Sequence, residues 1–199
     1  MGGAVGELPE KAREMIAIAD RNTQRLADLV NDILDMEKID SGRMEIVLKP
    51  LDLADLVRRS VEDNQSYAEQ YNVEMMFEAS AEQSMVKADE TRMTQVLANL
   101  LFNAVKFSPP GGIVNIVVED KGERIRVSVI DRGAGIPDEF RDRIFQRFTQ
   151  ADSSNRRRTG GTGLGLSISA AIVESHGGEL DFESEVGKGT TFFCDLRKA

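Results

Sequence analysis

Four times between Asn99 and Thr190, a polar or glycine-containing cluster falls where a helix or strand ends. In order they are Asn99-Leu100-Leu101-Phe102-Asn103-Ala104-Val105-Lys106-Phe107, Asp131-Arg132-Gly133-Ala134-Gly135, Gly160-Gly161-Thr162-Gly163-Leu164-Gly165 and Gly187-Lys188-Gly189-Thr190. Any one of them alone reads as a turn or a solvated helix face, since glycine supplies positive φ and Asp initiates turns. Their succession within about ninety residues calls for a single fold that brings four backbone segments together.

The periods between the clusters give that fold. Met44 to Leu48 reads as a strand, Leu53 to Tyr71 as an amphipathic helix, and Val73 to Ala79 and Met85 to Ala88 as strands. Asp89 is the capping candidate for a helix from Glu90 to Phe107. Ile113 to Glu119 and Arg124 to Ile130 flank the turn Asp120-Lys121-Gly122-Glu123 as a hairpin. A short helix follows Pro137, another runs from Leu164 to Ser175 and stops at Gly177-Gly178, and strands at Glu179 to Glu185 and Thr190 to Leu196 close the chain. Hairpins outnumber strand-helix-strand crossovers. The expected class is therefore α+β, a two-layer α/β sandwich in which helices cover one face of a mixed, largely antiparallel sheet. With 41% apolar residues over 199 positions, the chain has enough material for such a core.

Ahead of this unit, Met15, Ala19, Leu26, Leu29, Ile33 and Met36 recur at spacings of three and four, with Asn22 in the missing slot. That heptad seam predicts one long helix, after Pro9 and before Gly42, with a stripe wider than one small domain would cover. A homodimer through this helix is expected, and a domain division into residues 1–45 and 46–199. The opening Met1-Gly2-Gly3-Ala4-Val5-Gly6 reads as a loop between elements, so the chain is expected to be part of a longer protein, for which a membrane anchor is left open.

The chemistry of the clusters suits a magnesium-bound purine triphosphate. Arg92, Gln95, Asn99, Asn103 and Lys106 line one helix face, and two asparagines four apart weaken a helix unless they have another use. A carboxamide oxygen is a good ligand for Mg²⁺, which takes few protein ligands beside phosphate oxygens. Asn103 is the expected metal ligand, assisted by Asn99; Lys106 would meet phosphate as a point charge and Phe107 would lie against the purine. Asp131, ending a strictly alternating strand, can accept a hydrogen bond from an exocyclic amine, and Gly133 and Gly135 let backbone approach the base. Gly163 and Gly165 open a helix whose backbone N–H groups would face anions. The preceding run through Arg156, Arg157 and Arg158 has no apolar anchor and suits a lid over phosphates, its base held in the core by Phe145 and Phe148.

Several classes are excluded. A net charge of −9 argues against nucleic-acid binding. The single cysteine, Cys194, rules out an internal disulfide or a thiolate metal cluster, and fits a reducing, cytoplasmic setting. There is no Gly-x-x-x-x-Gly-Lys-Ser/Thr run, and the glycines at Gly161, Gly163 and Gly165 follow a polar loop where a dinucleotide fingerprint needs a strand. His176, the one histidine, reads as a helix-terminal residue in contact with the dipole.

From Asp20 to Leu196 these residues resemble the ATP-binding catalytic region of the sensor histidine kinases of two-component systems, with its Bergerat-type nucleotide fold. Asn99 to Phe107 resembles the asparagine box, Asp131 to Gly135 the first glycine box, Phe145 to Phe148 the phenylalanine box, Gly161 to Gly165 the second glycine box and Gly187 to Thr190 the last. The resemblance implies ATP and Mg²⁺ as cofactors, Asn103 on the metal, Asp131 on the adenine amine and Thr190 supporting it. It also implies catalytic parts for Asn99 and Lys106, and nucleotide contacts from Phe107, Ile136, Phe148, Arg157, Arg158, Gly161, Thr162, Leu164 and Leu166. Glu10 to Ser41 resembles the second helix of the dimerisation hairpin. The family's phosphate-accepting histidine lies on the first helix of that hairpin, and His176 does not match it. The implied activity is transfer of the γ-phosphoryl group of ATP to a histidine outside this chain, for relay to an aspartate on a response regulator receiver domain. Gln150 stands where many relatives carry a basic residue. A nucleotide-gated scaffold without kinase activity is the first alternative. The second is a hydrolase of the gyrase or chaperone type, which has a glutamate where Asn99 stands; a carboxamide cannot act as a base.

Overall fold

One face of a single helix organises the domain. In α3 (Glu90–Phe107) the residues Met93, Val96, Leu97, Leu100, Leu101, Ala104 and Val105 are all buried, at spacings of three and four. Asp89 caps its start by accepting the Arg92 N–H, as its position before the apolar run predicts. The computed structural model describes residues 8–80, 84–149 and 162–199. Preceding α3 in the chain are α1 (Glu10–Asp40), β1 (Lys49–Asp52), α2 (Leu53–Gln70), β2 (Glu74–Ala79) and β3 (Met85–Ala88). After it come β4 (Ile113–Asp120), β5 (Arg124–Asp131), α4 (Asp138–Arg141), α5 (Gly165–Ser175), β6 (Glu179–Glu185) and β7 (Gly189–Arg197).

The main sheet has the order β2-β4-β5-β7-β6, with β2 parallel to β4 and the remaining pairs antiparallel. Parallel pairing of β2 with β4 requires a crossover, and the chain supplies it through β3 and α3. Alternation puts Val114, Ile116 and Val118 of β4, Ile125, Val127 and Val129 of β5, and Phe192, Cys194 and Leu196 of β7 on the covered face. They meet Leu53, Leu56 and Val57 of α2, the buried stripe of α3, and Ile168 and Ile172 of α5 in one core. Complete burial pushes the Cys194 thiol up to about 12, so it is an inert part of that core. The two-layer α+β expectation is met.

The strand expected at Met44 to Leu48 is not one. The ladder begins at Lys49, where β1 pairs antiparallel with β3 from Lys49↔Ala88 to Asp52↔Met85 as a separate two-stranded sheet. Upstream of it the Val47 N–H goes to the Asp89 carboxylate, so alternating hydrophobicity there had no partner strand to act on. Pro50 is tolerated because this strand has only one neighbour.

α1 is 31 residues long, about 45 Å at 1.5 Å per residue. Its C-terminal end docks on the domain through buried Met36 and half-buried Ile39. Further up, Met15 is 66% and Leu26 61% exposed, and Ile33 is exposed beside them. Three acidic residues near the docked end are also engaged: Asp32 with Thr162, Asp35 with Arg92 and Gln95, and Asp40 with Arg147.

Candidate functional site

The four clusters converge because their backbones come within a side chain's width of one another. A Cβ added at Gly165, the first residue of α5, would lie 2.3 Å from Asn99 Oδ1 on α3. One added at Gly133 would lie 2.4 Å from the Phe107 carbonyl at the end of α3. At Gly133 the neighbour is backbone, so close approach requires glycine; at Gly165 it is the Asn99 side chain, which a methyl would displace. The fourth cluster is tied in by pairing: Thr190 stands opposite Asp131 in the β5–β7 ladder, and its N–H donates to Asp131 Oδ1 at 3.2 Å.

At the α3 edge, Asn99 donates from Nδ2 to Ser169 Oγ at 2.9 Å, which turns its Oδ1 toward Asn103. Asn103 donates to that oxygen from Nδ2 at 3.5 Å, so the hydrogen bonds orient both carboxamides and leave Asn103 Oδ1 as an oxygen donor at the half-buried edge. One turn on, Lys106 Nζ lies 4.8 Å from the ring centre of Phe107, which is itself exposed. Arg92 and Gln95 share the helix face by periodicity but are taken up elsewhere. Arg92 Nη1 donates to both oxygens of Asp35 at 3.1 Å and Gln95 Nε2 to one of them at 2.8 Å, so they join α3 to α1.

At the other end, Asp131 is only 6% exposed. Burial raises its carboxyl above the usual 3.8, against the lowering effect of the Gly133 and Thr190 N–H groups. Both donors fall on Oδ1, Gly133 N–H at 2.8 Å. Gly135, at φ +73°, turns the chain next to the Glu185 carbonyl. Ile136 is buried behind it, with its N–H given to Ser184 Oγ.

Beside Asn99 lies the start of α5. Leu164 is buried, and Gly163, Gly165 and Leu166 are half-buried. Thr162 Oγ1 accepts from the Leu164 N–H and donates to Asp32 Oδ2 of α1 at 2.7 Å, so one hydroxyl joins the start of α5 to the long helix. Burial raises the Asp32 carboxyl, and the Thr162 bond offsets part of that. The helix has 11 residues, and its first-turn N–H groups give the edge a positive end beside Asn99.

Phe145 and Phe148 part company. Phe145 packs edge-on against Phe182 and Phe192, as a core anchor should. Phe148 is 70% exposed at φ +59°, with its N–H donated to the Gly163 carbonyl, so it does not anchor the lid in the core. The turn that brings residue 148 to Gly163 points its side chain outward, a reversal that spacing does not reveal. Gln150, Arg157, Arg158 and Gly161 lie outside the described residues. His176 contacts the last-turn carbonyl of Ile172 through Nδ1, and Nε2 accepts the Asp89 N–H at 2.9 Å, fastening α5 to the start of α3.

Ser169 and Ser184 were not foreseen as parts of the site. Ser169 sits four residues after Gly165, on the same side of α5, and Ser184 is placed opposite Thr190 by the register of the last hairpin. Both could have been found by carrying helical or strand period outward from the glycines. Asp32 and Asp35 had no such signal.

Residues 88–199, more than half of the chain, match the family of histidine kinase-, DNA gyrase B- and HSP90-like ATPases, and residues 2–42 match the His Kinase A phospho-acceptor domain. The circadian input-output histidine kinase CikA of Synechococcus elongatus is 39% identical over 191 residues, 95% of this chain and 25% of that protein. The chain spans 24 to 30% of the length of the curated relatives CikA, WalK and DivL. Full-length ShkA, solved with AMPPNP, superposes with a TM-score of 0.82 at 31% identity, covering 97% of this chain and 40% of that one. Histidine kinase ThkA, solved in complex with the response regulator TrrA, gives 0.74 at 30% identity, covering 97% and 53%. By these matches the chain belongs to the histidine kinase-, DNA gyrase B- and HSP90-like ATPase family, as the catalytic region of a two-component sensor histidine kinase.

Proposed function

We propose that this chain binds ATP with Mg²⁺ and delivers the γ-phosphoryl group to a histidine on the first helix of a dimerisation hairpin, for relay to an aspartate of a response regulator receiver domain. The observation that carries the reading is a pair of acceptor oxygens with no partner among the described residues: Asp131 Oδ2, both backbone donors falling on Oδ1, and Asn103 Oδ1, its amide nitrogen engaged by Asn99. Asp131 Oδ2 would accept the adenine amine, with Thr190 beside it; Phe107, Gly133, Gly135 and Ile136 would bound the base.

The oxygen donor at Asn103 fits Mg²⁺, a hard cation that prefers oxygen. Among the described residues no group of three or more His, Cys, Asp or Glu side chains could hold a metal ion. When bound, the ion would neutralise charge on the phosphate oxygens. Asn99 holds the Asn103 amide in register, and Lys106 and the start of α5 offer positive charge to the phosphates. Thr162, Gly163, Leu164, Gly165 and Leu166 would line the phosphate end, with Phe148 beside Gly163.

In the reaction the bond from the γ-phosphorus to the bridging oxygen breaks, a bond to an imidazole nitrogen forms, and ADP leaves. A carboxamide at Asn99 cannot deprotonate water, which favours transfer over hydrolysis. His176 does not serve as the acceptor, since Nδ1 is engaged by the Ile172 carbonyl of its own helix and Nε2 by the Asp89 N–H at the start of α3. The exposed Met15, Leu26 and Ile33 stripe supports a homodimer through α1, in a domain of residues 1–45 ahead of a catalytic domain of residues 46–199. The ThkA complex with TrrA supports a receiver-domain partner. No helix among the described residues is long and apolar enough to cross a membrane; a cytoplasmic position, at the inner face of the membrane if the whole protein is anchored, fits the reading.

The experiment mixes the chain with ATP, Mg²⁺ and a separate polypeptide carrying a histidine-bearing dimerisation hairpin. Acid-labile phosphate on that polypeptide is expected. Release of free phosphate at a useful rate would favour a hydrolase, and ATP binding with neither product would favour a scaffold.

A further inference from the structure

The row that holds Asp131 and Thr190 continues onto a third side chain to which the nucleotide reading gives no part. Ser184 stands opposite Thr190 in the β6–β7 ladder, as Thr190 stands opposite Asp131 in the β5–β7 ladder. Directly opposed residues project from the same face, so the three side chains lie abreast across three strands.

A serine hydroxyl has one hydrogen and two lone pairs. Ser184 Oγ accepts the Ile136 N–H at 2.8 Å, lies 3.0 Å from the Gly189 carbonyl oxygen and lies 2.9 Å from Thr190 Oγ1. A carbonyl can only accept, so all three contacts are satisfied in one way. The Ser184 hydrogen goes to Gly189, and the Thr190 hydrogen goes to the remaining lone pair of Ser184. That leaves Thr190 Oγ1 with only lone pairs to offer a ligand. Asp131 is arranged in parallel, with Gly133 N–H and Thr190 N–H both on Oδ1.

We propose that Ser184 is a positioning residue for purine selection: by taking the Thr190 hydroxyl hydrogen, it makes Thr190 Oγ1 and Asp131 Oδ2 an edge of acceptors that admits a purine with an amine at C6 and rejects one with a carbonyl there. This rests on the nucleotide reading above. An amine has two hydrogens to give. A carbonyl oxygen in the same place meets lone pairs on both sides and loses its water without gaining a donor. Replacing Ser184 frees the Thr190 hydroxyl to turn and donate, which removes half of the discrimination. The effect runs entirely through Thr190 and the Ile136 N–H, since the assignment needs no contact between Ser184 and the base.

The test is calorimetric titration of the chain and its Ser184→Ala, Ser184→Cys and Ser184→Thr variants with ATP and with GTP, each with Mg²⁺. The chain should prefer ATP, and Ser184→Ala should narrow the ATP to GTP ratio roughly five- to tenfold, the worth of one hydrogen bond, largely by tighter GTP binding. Ser184→Thr restores the hydroxyl and should restore the ratio; Ser184→Cys, close in shape but a weaker acceptor, should fall between. An unchanged ratio in Ser184→Ala, or an equal loss for both nucleotides, overturns the proposal, as does a Ser184→Thr ratio like that of alanine. If Ser184→Ala does not melt cooperatively, Ser184→Cys decides, and a wild-type ratio there is equally fatal. No heat with ATP for the unaltered chain would remove the nucleotide reading and this inference together, whereas normal ATP binding with an unmoved ratio removes only the role of Ser184.

Discussion

Replacing Asp131 by asparagine tests the base-reading end of the site, because the surrounding backbone dictates which way the new amide must face. Two N–H groups, of Gly133 and Thr190, converge on Oδ1. If the amide nitrogen took that position, two donors would be left against a third, at about 1–3 kcal/mol each. The carboxamide oxygen must therefore stay at the Oδ1 position, which places the NH₂ where Oδ2 was, donor against the donor amine of adenine. Losing a hydrogen bond to a charged acceptor costs about 1.5–3 kcal/mol, and the opposed donors bring the total to roughly 2–4 kcal/mol. At 1.4 kcal/mol per decade, ATP affinity should fall about 30- to 1000-fold, while GTP, with a carbonyl at C6, should lose far less.

The same substitution should leave the empty fold more stable. Burial raises the Asp131 carboxyl in the folded state above 3.8, so folding favours the protonated form. The folded state therefore loses stability as pH rises from the ordinary carboxylate range through the raised value, and above it the burial cost is fully present. Removing the charge removes that cost. Asp131→Asn should melt higher than the unaltered chain at neutral pH, and the difference should shrink as the pH is lowered through that window. ATP binding by the unaltered chain should weaken over the same window, since the protonated acid loses its acceptor strength. Calorimetry with both nucleotides and thermal melts at several pH values read all three effects. Asp131→Asn binding ATP within about threefold of the unaltered chain, with a native melt, would refute the orientation argument.

Asn103→Ala should abolish the magnesium-dependent part of ATP affinity while leaving the melt nearly unchanged; titrations with and without chelator check it, and an unaltered magnesium effect counts against the assignment. Gly165→Ala puts a methyl 2.3 Å from Asn99 Oδ1, so it should weaken ATP binding about tenfold at a stability cost below about 1 kcal/mol, because alanine is the better helix former. Asp35→Ala leaves the largely buried Arg92 without its carboxylate and should weaken the docking of α1 by roughly 3 kcal/mol; faster amide exchange confined to α1 is the expected sign, and unchanged exchange there the refuting one. Leu26→Asp, at an exposed position of α1, should shift the chain toward monomer in sedimentation while changing the melt by less than about 0.5 kcal/mol.

Where structure follows from neighbours in the chain, the sequence was a reliable guide. The bounds of α3 follow from the Asp89 cap and an unbroken apolar stripe, and the β4–β5 hairpin from alternation on both sides of a Gly122 turn. The end of α5 follows from Gly177 at φ +67°. The order of the four clusters also foretold that they would converge, because a Cβ built at Gly133 or Gly165 would lie within 2.4 Å of the Phe107 carbonyl or the Asn99 side chain. Met44 to Leu48 failed for the complementary reason: a strand is defined by its partner, and the register with β3 begins only at Lys49.

Asn99, Asn103 and Asp131 could thus be picked as candidates from the chain alone, since helical period and strand ends are local and the chemistry of a carboxamide or carboxylate travels with the residue. Which atom of each remains available is a matter of non-local neighbours. Ser169 turns Asn99, two backbone N–H groups occupy one oxygen of Asp131, Ser184 takes the Thr190 hydrogen, and Phe148 faces outward. Hydrogen bonds are directional and fall off within a fraction of an ångström, so these choices exist only once strands and helices distant in sequence have been brought into register.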